Sequence, residues 1–231
     1  MGIDHERRAD IFHSCRFWTL NQGARILLDD LMATNEPTLS TEQLYILRTI
    51  RDVFEERGAW PALQYVSYRL FNEHAGDLMA ELKSLAPRLV MVYGNPGNPQ
   101  PGDALHLTYR GLKLAGGQER LEKVLSLLRW LAERQLRFEP SSPTEAEYPQ
   151  VTADDADPHF RWTRDDSMRT YALLEDLWGW MQGGGLGTYE GQPRWSASLA
   201  PEIRQFQNLE SVDQLIEMGA DLLEGPTRPW E

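Results

Sequence analysis

The chain has 231 residues, of which 41% are hydrophobic, and a formal net charge of −12. This supports a packed core of one large or two small domains, and the single cysteine, Cys15, excludes an intramolecular disulfide. With no apolar run near the ~20 residues that cross a bilayer and no signal-peptide region, we expect a cytoplasmic protein without membrane association.

The first 36 residues are predicted to be an N-terminal helical segment. Ile11, Cys15 and Trp18 share one stripe of this helix, and Asn21 to Gly23 is a point where it can break. On such a stripe Cys15 is more typical of a small core residue than of a nucleophile.

A further helix is predicted to begin after Ser40. Ser40 and Gln43 have the spacing of a capping box, in which each side chain satisfies a backbone N–H of the first turn. Gly58 is a plausible end. The apolar residues between these points recur at the spacing of one buried helical stripe: Ile46, Leu47, Ile50, Val53 and Phe54.

Two more helices and a β-hairpin are predicted next. Pro61 suits the first turn of a second helix, since that turn does not use its missing N–H, and Asp77 can cap a third. A β-type run over 89–93 leads into a Gly-, Pro- and Asn-rich tip over 94–102, and 105–108 is the predicted return strand. Three helices followed by such a ribbon are the order of elements in a winged helix-turn-helix domain.

Two motifs in this region resemble bacterial winged-helix regulators. The opening is similar to that of the DNA-binding domain family of the SOS-response repressor: Leu39-Ser40-x-x-Gln43, then Arg57-Gly58 and Trp60-Pro61. The strand-to-helix exit resembles that of many such regulators: Leu105-x-Leu107-Thr108-x-x-Gly111. The resemblance implies a winged-helix fold over 39–117 and, through the fold, a role in DNA binding.

Charge argues against a strong DNA contact. Affinity for duplex DNA comes mainly from Lys and Arg at phosphates. Residues 37–117 contain eight basic and eight acidic residues, whereas 140–231 contain six basic and seventeen acidic ones. The side chains that would touch DNA are Arg48, Arg51, Arg69, Lys83, Ser84 and Arg88. Because residues 37–117 carry no net charge, contact with a protein is slightly favoured over contact with DNA. The alternative is that these arginines and the lysine gather into a local basic face that binds DNA.

Residues 118–138 are predicted to form a long helix appended to the module, which then spans 37–139. Its apolar stripe comprises Leu121, Val124, Leu125, Leu128, Leu131 and Ala132. The stripe has two interpretations: it packs on the winged helix, or it pairs with a second copy in a homodimer, as appended helices of winged-helix regulators do.

Prolines and aspartates over 140–159 indicate an acidic linker and a domain boundary. Beyond it, 160–231 is predicted to be a small, acidic, Trp-rich α+β unit. Its elements are a helix opened by Asp165, a strand through Trp195, a short strand at Ile203 and Phe206, and a last helix capped by Ser211. Aromatic residues often anchor interfaces, so the candidate protein contacts are Trp178, Trp180 and Trp195, with core packing as the other interpretation.

Motifs for chemistry are incomplete. The loop from Gly183 to Gly187 lacks the Lys-Ser/Thr pair of a phosphate-binding loop, and is predicted to be a helix stop and flexible loop. Asp155, Asp157, His159 and Asp166 have the spacing of ligands in a calcium-binding loop. We reject this motif, because such a loop needs glycine at its sixth position, where this chain has Phe160. His106 alternates with buried strand positions and is expected to point outward.

We therefore predict no catalytic residue, no cofactor and no metal site. The sequence predicts a mainly α protein with a small β component. The favoured function is a non-enzymatic winged-helix interaction or adaptor protein, with protein partners in a larger assembly of bacterial type. The alternative is a DNA-binding transcriptional regulator that dimerises through the helix over 118–138.

Overall fold

The helices and strands follow the hydrophobic patterns of the sequence through most of the region that can be described. The computed structural model describes residues 38–70, 77–94, 99–138, 148–178, 185–189, 191–199 and 201–224. The chain divides into two compact units, Met1–Ser40 and Thr41–Glu231. The helix predicted over 1–36 lies outside the described residues, which are mainly helical with two small sheets.

Three helices come first: α1 is Thr41–Arg57, α2 is Leu63–Leu70 and α3 is Leu78–Leu85. All five predicted stripe residues of α1 are completely buried. Gly58 follows α1 with φ of 70°, a left-handed conformation that favours glycine and ends the helix. Asp77 caps α3 by accepting from the N–H groups of Met79 and Ala80, at 3.0 and 3.3 Å. These predictions are confirmed.

A β-ribbon follows, with β1 at Val90–Tyr93 and β2 at Ala104–Leu107, antiparallel and in the register that places Val90 opposite Leu107. The segment between α1 and α2 joins this ribbon. Leu63 N–H donates to Asp103 O at 2.8 Å, and Leu105 N–H donates to Pro61 O at 2.9 Å. Pro61 therefore lies in a short extended bridge and not in the first turn of α2, because its carbonyl is used by the ribbon.

The exit from β2 explains the Thr108-x-x-Gly111 motif. Thr108 Oγ1 accepts from Gly111 N–H at 3.0 Å, which caps the short helix α4, Tyr109–Leu114, and it donates to Arg88 O at 2.9 Å. A Cβ atom on Gly111 would lie 2.1 Å from Leu89 O. The motif thus combines a helix cap with a backbone approach that only glycine permits.

Helix α5 spans Gln118–Leu136, and its entire predicted stripe is buried within this chain. It packs against four elements: α4, a 3-10 helix at Pro201–Asn208, α7 at Arg164–Trp178 and α8 at Val212–Glu224. The stripe is therefore covered by the chain's own helices and offers no seam for the dimer considered above. No helix in the described residues is long and apolar enough to span a membrane.

The region predicted as a linker contains regular structure where it is described. Strand β3 is Gln150–Thr152 and helix α6 is Ala153–Phe160. Val151, Ala153 and Ala156 are buried, so a few apolar residues among the aspartates anchor the segment. Both sides of the expected boundary belong to one compact unit, Thr41–Glu231.

The second sheet has strand order β3-β5-β4, with β4 at Gly185–Tyr189 and β5 at Gln192–Ser198. Trp195, Ala197 and Leu199 are buried, as the predicted alternation requires. Strand β4 takes up part of the glycine-rich segment predicted as a flexible loop, where pairing with β5 outweighs the weak strand propensity of glycine. Ile203 and Phe206 are buried as expected, but in the 3-10 helix and not in a strand.

Candidate interaction surfaces

Three of the six predicted DNA contacts are engaged inside the chain. Arg51 forms an ion pair with Asp52 at 2.5 Å and donates to the carbonyl of Ala115 at the end of α4. Ser84 accepts from Gln43 Nε2 at 3.0 Å, which ties α1 to α3.

Arg69 is the third. Both of its terminal nitrogens lie 3.0 Å from Glu56 Oε1, and this hydrogen-bonded carboxylate raises the pKa of Arg69. The other three predicted contacts, Arg48, Lys83 and Arg88, are exposed.

Helix α2 carries an exposed surface that the sequence interpretation did not single out. Tyr68 is 81% exposed, and we define the α2 face as Gln64, Ser67, Tyr68 and Arg69, all exposed. At its edge the Arg57 guanidinium lies 3.9 Å from the centre of the Tyr65 ring. The exposure of Tyr68 could have been predicted from the sequence. Leu63, Val66 and Leu70 define the buried side of the helix, and Tyr68 falls on the opposite side.

His106 differs from its prediction. It faces away from Leu105 and Leu107, but it is only 9% exposed, because aromatic rings cover that face of β2. Its ring centre lies 5.1 Å from that of Trp60 and 4.1 Å from that of Tyr93. Trp60 in turn stacks on Phe54 at 4.2 Å, so the rings link the core of α1 to the surface of the ribbon.

Trp195 is a core residue and is not accessible to a partner. It is 1% exposed, donates from Nε1 to Ser167 Oγ at 2.8 Å, and stacks on Tyr171 with ring centres 4.7 Å apart. Of the other two predicted contacts, Trp178 ends α7 with its side chain outside the described residues, and Trp180 lies wholly outside them.

An ion cluster around the buried Arg120 joins α1, α5 and α7. Arg120 pairs with Glu55 at 2.7 Å and Asp166 at 3.1 Å, and Lys123 also lies 3.1 Å from Asp166. Burial alone would lower the pKa of Arg120, but Glu55 and Asp166 outweigh burial and raise it. Burial likewise opposes ionisation of Asp166, yet Lys123 and Arg120 hold the pKa of Asp166 below its usual value. The cluster fixes the three helices to one another.

A groove of about 600 Å³ lies where the end of α5 meets β3 and α6. Trp130, Val151 and Leu199 are buried residues that line it, and Arg134 and Arg137 line it from exposed positions. The Arg134 guanidinium lies 4.3 Å from the centre of the Trp130 ring. The groove therefore combines an apolar floor with a charged rim.

The carboxylates of the rejected calcium spacing have separate tasks. Asp155 accepts from Thr152 N–H at 2.9 Å, Asp157 pairs with Arg164 at 3.2 Å, and Asp166 belongs to the ion cluster. Throughout the described ranges, no group of three or more His, Cys, Asp or Glu side chains is arranged to hold a metal ion. The chain matches no protein-family model, no curated protein and no solved structure.

Proposed function

We propose that this chain is a non-enzymatic winged-helix protein that binds a protein partner through the α2 face, as an adaptor within a larger assembly. The proposal depends on a contrast, within helices α1 and α2, between arginines that are paired and a tyrosine that is exposed. Arg51 and Arg69 are paired with neighbouring carboxylates, whereas the large aromatic side chain of Tyr68 is exposed.

The proposal of a winged helix is supported by the order of α1, α2, α3, β1 and β2. It is supported further by the antiparallel bridge between Ala62 and Ala104, which pairs the segment between α1 and α2 with strand β2 of the ribbon. Such a bridge ties the start of α2 to the ribbon, which is consistent with a helix-turn-helix unit followed by a wing.

The distribution of charge favours protein over DNA. A cation within hydrogen-bond reach of a carboxylate contributes less to phosphate neutralisation than an isolated one, and Arg69 has Glu56 at 3.0 Å. The acidic C-terminal region adds long-range repulsion toward nucleic acid. Both effects reduce the affinity that the module can have for a duplex.

Tyr68 is the anchor that we assign to the partner. Tyrosine presents a large, rigid surface with a polar tip, and it is enriched among the residues that dominate binding at interfaces. Its neighbours Gln64 and Ser67 are exposed and supply hydrogen-bonding groups beside it. The α2 face thus has the aromatic centre and polar surroundings of an interface.

Site-specific photocrosslinking in cells tests the proposal. We replace Tyr68 with a photoreactive phenylalanine in the full chain, and use Glu122, an exposed residue of α5, as the matched control position. We expect a discrete crosslinked protein from position 68, lost when Gln64 and Ser67 are both changed to Glu, and no such product from position 122. Equal crosslinking from both positions, or only nucleic-acid adducts from position 68, overturns the proposal.

A second candidate is a DNA-binding regulator, which the exposure of Arg48, Lys83 and Arg88 favours. Titration with a random-sequence duplex at low and at raised salt separates it from the first. Affinity that falls steeply with salt, and that falls again when the three cations are changed to Ala, supports the regulator. Absence of binding at low salt excludes it.

A further inference from the structure

The Arg57 guanidinium lies at the edge of the α2 face, over the ring of Tyr65 and 3.9 Å from its centre. Arg57 is the last residue of α1 and is exposed, whereas Tyr65 is half-buried on α2. A guanidinium that stacks on a ring by its flat side directs its N–H groups outward at its edge, because they lie in its plane. Such an arginine is held in position and can still form a bidentate pair with a carboxylate.

The carboxylates nearest to Arg57 along α1 are occupied by other arginines. Three of them lie in the last two turns of the helix, and each has its own partner. The pairs are Asp52–Arg51 at 2.5 Å, Glu55–Arg120 at 2.7 Å and Glu56–Arg69 at 3.0 Å. Throughout the described part of the chain, no carboxylate lies within ion-pair distance of Arg57.

Helix α2 adds no negative charge, because it contains no acidic residue from Leu63 to Leu70. The ribbon approaches the start of α2 at Asp103, but the Asp103 carboxylate lies against Gly94 and accepts from Gln100 N–H at 2.8 Å. The last two turns of α1, together with Arg69 and Arg120, thus set four arginines against three carboxylates. The excess positive charge is that of Arg57.

Tyr68 lies next to this cation along the surface of α2. Tyr65 and Tyr68 are three residues apart in the helix, and residues at this spacing are neighbours on one side, with Cβ atoms about 5–6 Å apart. Tyr68 is 81% exposed. A ligand whose carboxylate pairs with Arg57 can therefore place an adjacent apolar side chain on the ring of Tyr68.

We propose that the partner bound by the α2 face contributes a single Asp or Glu beside an apolar residue, with the carboxylate on Arg57 and the apolar side chain on Tyr68. The inference rests on the proposed function, since it names the chemistry of the partner at the same site. The net charge of −12 on this chain repels a long acidic tract at a distance, and it repels a second copy of the chain as well. The occupant is therefore a segment of another protein with one carboxylate.

Selection of random displayed peptides on the full chain, with counter-selection on Arg57→Gln, tests this assignment. We expect peptides that prefer the original protein and contain one Asp or Glu next to an apolar residue. In fluorescence polarisation, a selected peptide should bind Arg57→Gln about fivefold more weakly than it binds the original protein. Changing the acidic residue of the peptide to its amide should weaken binding to the original protein equally, and should add little on Arg57→Gln, where the pair is already lost.

Two variants separate this pair from a general effect of charge. Arg48→Gln removes another exposed cation of α1 and is the matched control, so it should leave peptide binding unchanged. Arg57→Lys keeps the positive charge but not the planar fork, and should bind more weakly than the original protein. Three results overturn the assignment: no peptide that prefers the original protein, equal weakening by Arg48→Gln and Arg57→Gln, or a dimer of the original protein that Arg57→Gln dissociates.

A carboxylate of this chain is the competing partner for Arg57. Glu73 follows α2 in the sequence and lies outside the described residues. We expect Glu73→Gln to bind the selected peptides like the original protein. Peptides that bind Glu73→Gln in an Arg57-dependent way, but do not bind the original protein, would show that the chain itself occupies Arg57, and would overturn the assignment.

Failure here is distinguishable from failure of the proposed function. Crosslinking from position 68 in cells reports a partner whatever the charge of that partner. If position 68 gives a crosslinked protein and no peptide depends on Arg57, only the assignment of the carboxylate falls. If peptides depend on Arg57 and are weakened by Tyr68→Ala, while position 68 gives no crosslink in cells, only the proposed cellular role falls.

Discussion

Arg120 donates from Nε and Nη2 to the two carboxylate oxygens of Glu55, at 2.9 and 2.7 Å. Three further hydrogen bonds, to Asp166 O, Asp166 Oδ1 and Thr170 Oγ1, bring the total from this guanidinium to five. The Arg120 side chain is only 8% exposed. One buried cation on α5 thus joins α1 of the helical module to α7 of the C-terminal region.

Replacing Arg120 with Ala should destabilise the protein by about 3 kcal/mol, because the change leaves the carboxylates of Glu55 and Asp166 without their shared partner. Urea unfolding followed by circular dichroism measures this free energy. Arg137→Ala, at an exposed position of the cap of α5, is the control and should change stability by less than about 0.5 kcal/mol. Equal effects of the two changes would contradict a structural role for the cluster.

Asp166 should make part of the stability depend on acid pH. Lys123 and Arg120 hold its folded pKa below its usual value, although burial opposes this. The contribution of Asp166 is therefore fully present above the unfolded pKa of about 3.9, and is lost as the pH falls from there through the folded pKa.

Asp166→Asn should accordingly be less stable than the original protein at neutral pH and lose less stability below about pH 4. Urea unfolding midpoints measured across the acid range give the pH dependence of stability for the variant and for the original protein. Asp165→Asn is the neighbouring control, since the Asp165 side chain is 78% exposed, and its slope should match that of the original protein. A steeper acid dependence for Asp166→Asn would contradict the direction of the pKa shift.

The sequence predicted those features that depend on neighbours along the chain. The stripe of α1, the cap at Asp77 and the ribbon strands were all confirmed, because helical spacing and short-range hydrogen bonds are written into a few consecutive residues. The Thr108-x-x-Gly111 motif is a mixed case. Its cap is local, but its need for glycine comes from Leu89 O.

Features that depend on distant residues were missed. Arg120 is four residues before the buried Val124 and so lies on the same side of α5. Its burial was missed because its partners on α1 and α7 are far away in sequence. Val151 is one apolar residue in an acidic, proline-rich region, and only pairing with Ala197 makes it a strand. The aromatic cover over His106 likewise requires Trp60, which local alternation does not include.

Gly111→Ala should destabilise the protein, although alanine usually stabilises a helix relative to glycine by about 1 kcal/mol. The added Cβ would lie 2.1 Å from Leu89 O, so α4 must move away from the start of β1, at a cost of about 1–3 kcal/mol. Thermal and urea unfolding measure the net effect. Gly102→Ala is the control, because no atom of the described residues, its two chain neighbours aside, lies within 4 Å of its Cβ position. A stabilised Gly111→Ala protein would show that this approach is not tight.

Trp195→Phe should lower the free energy of unfolding by about 1–3 kcal/mol, since it leaves the buried Ser167 hydroxyl without the indole donor at 2.8 Å. Phenylalanine keeps the stacking on Tyr171, so the change isolates the hydrogen bond from most of the packing. Ser167→Ala removes the other member of the pair and should cost a similar amount, and the double variant should cost less than the sum of the two. Urea unfolding of the three variants measures this coupling. Strictly additive effects, or a Trp195→Phe protein of unchanged stability, would contradict the assignment of Trp195 to the core and return it to the set of candidate partner contacts.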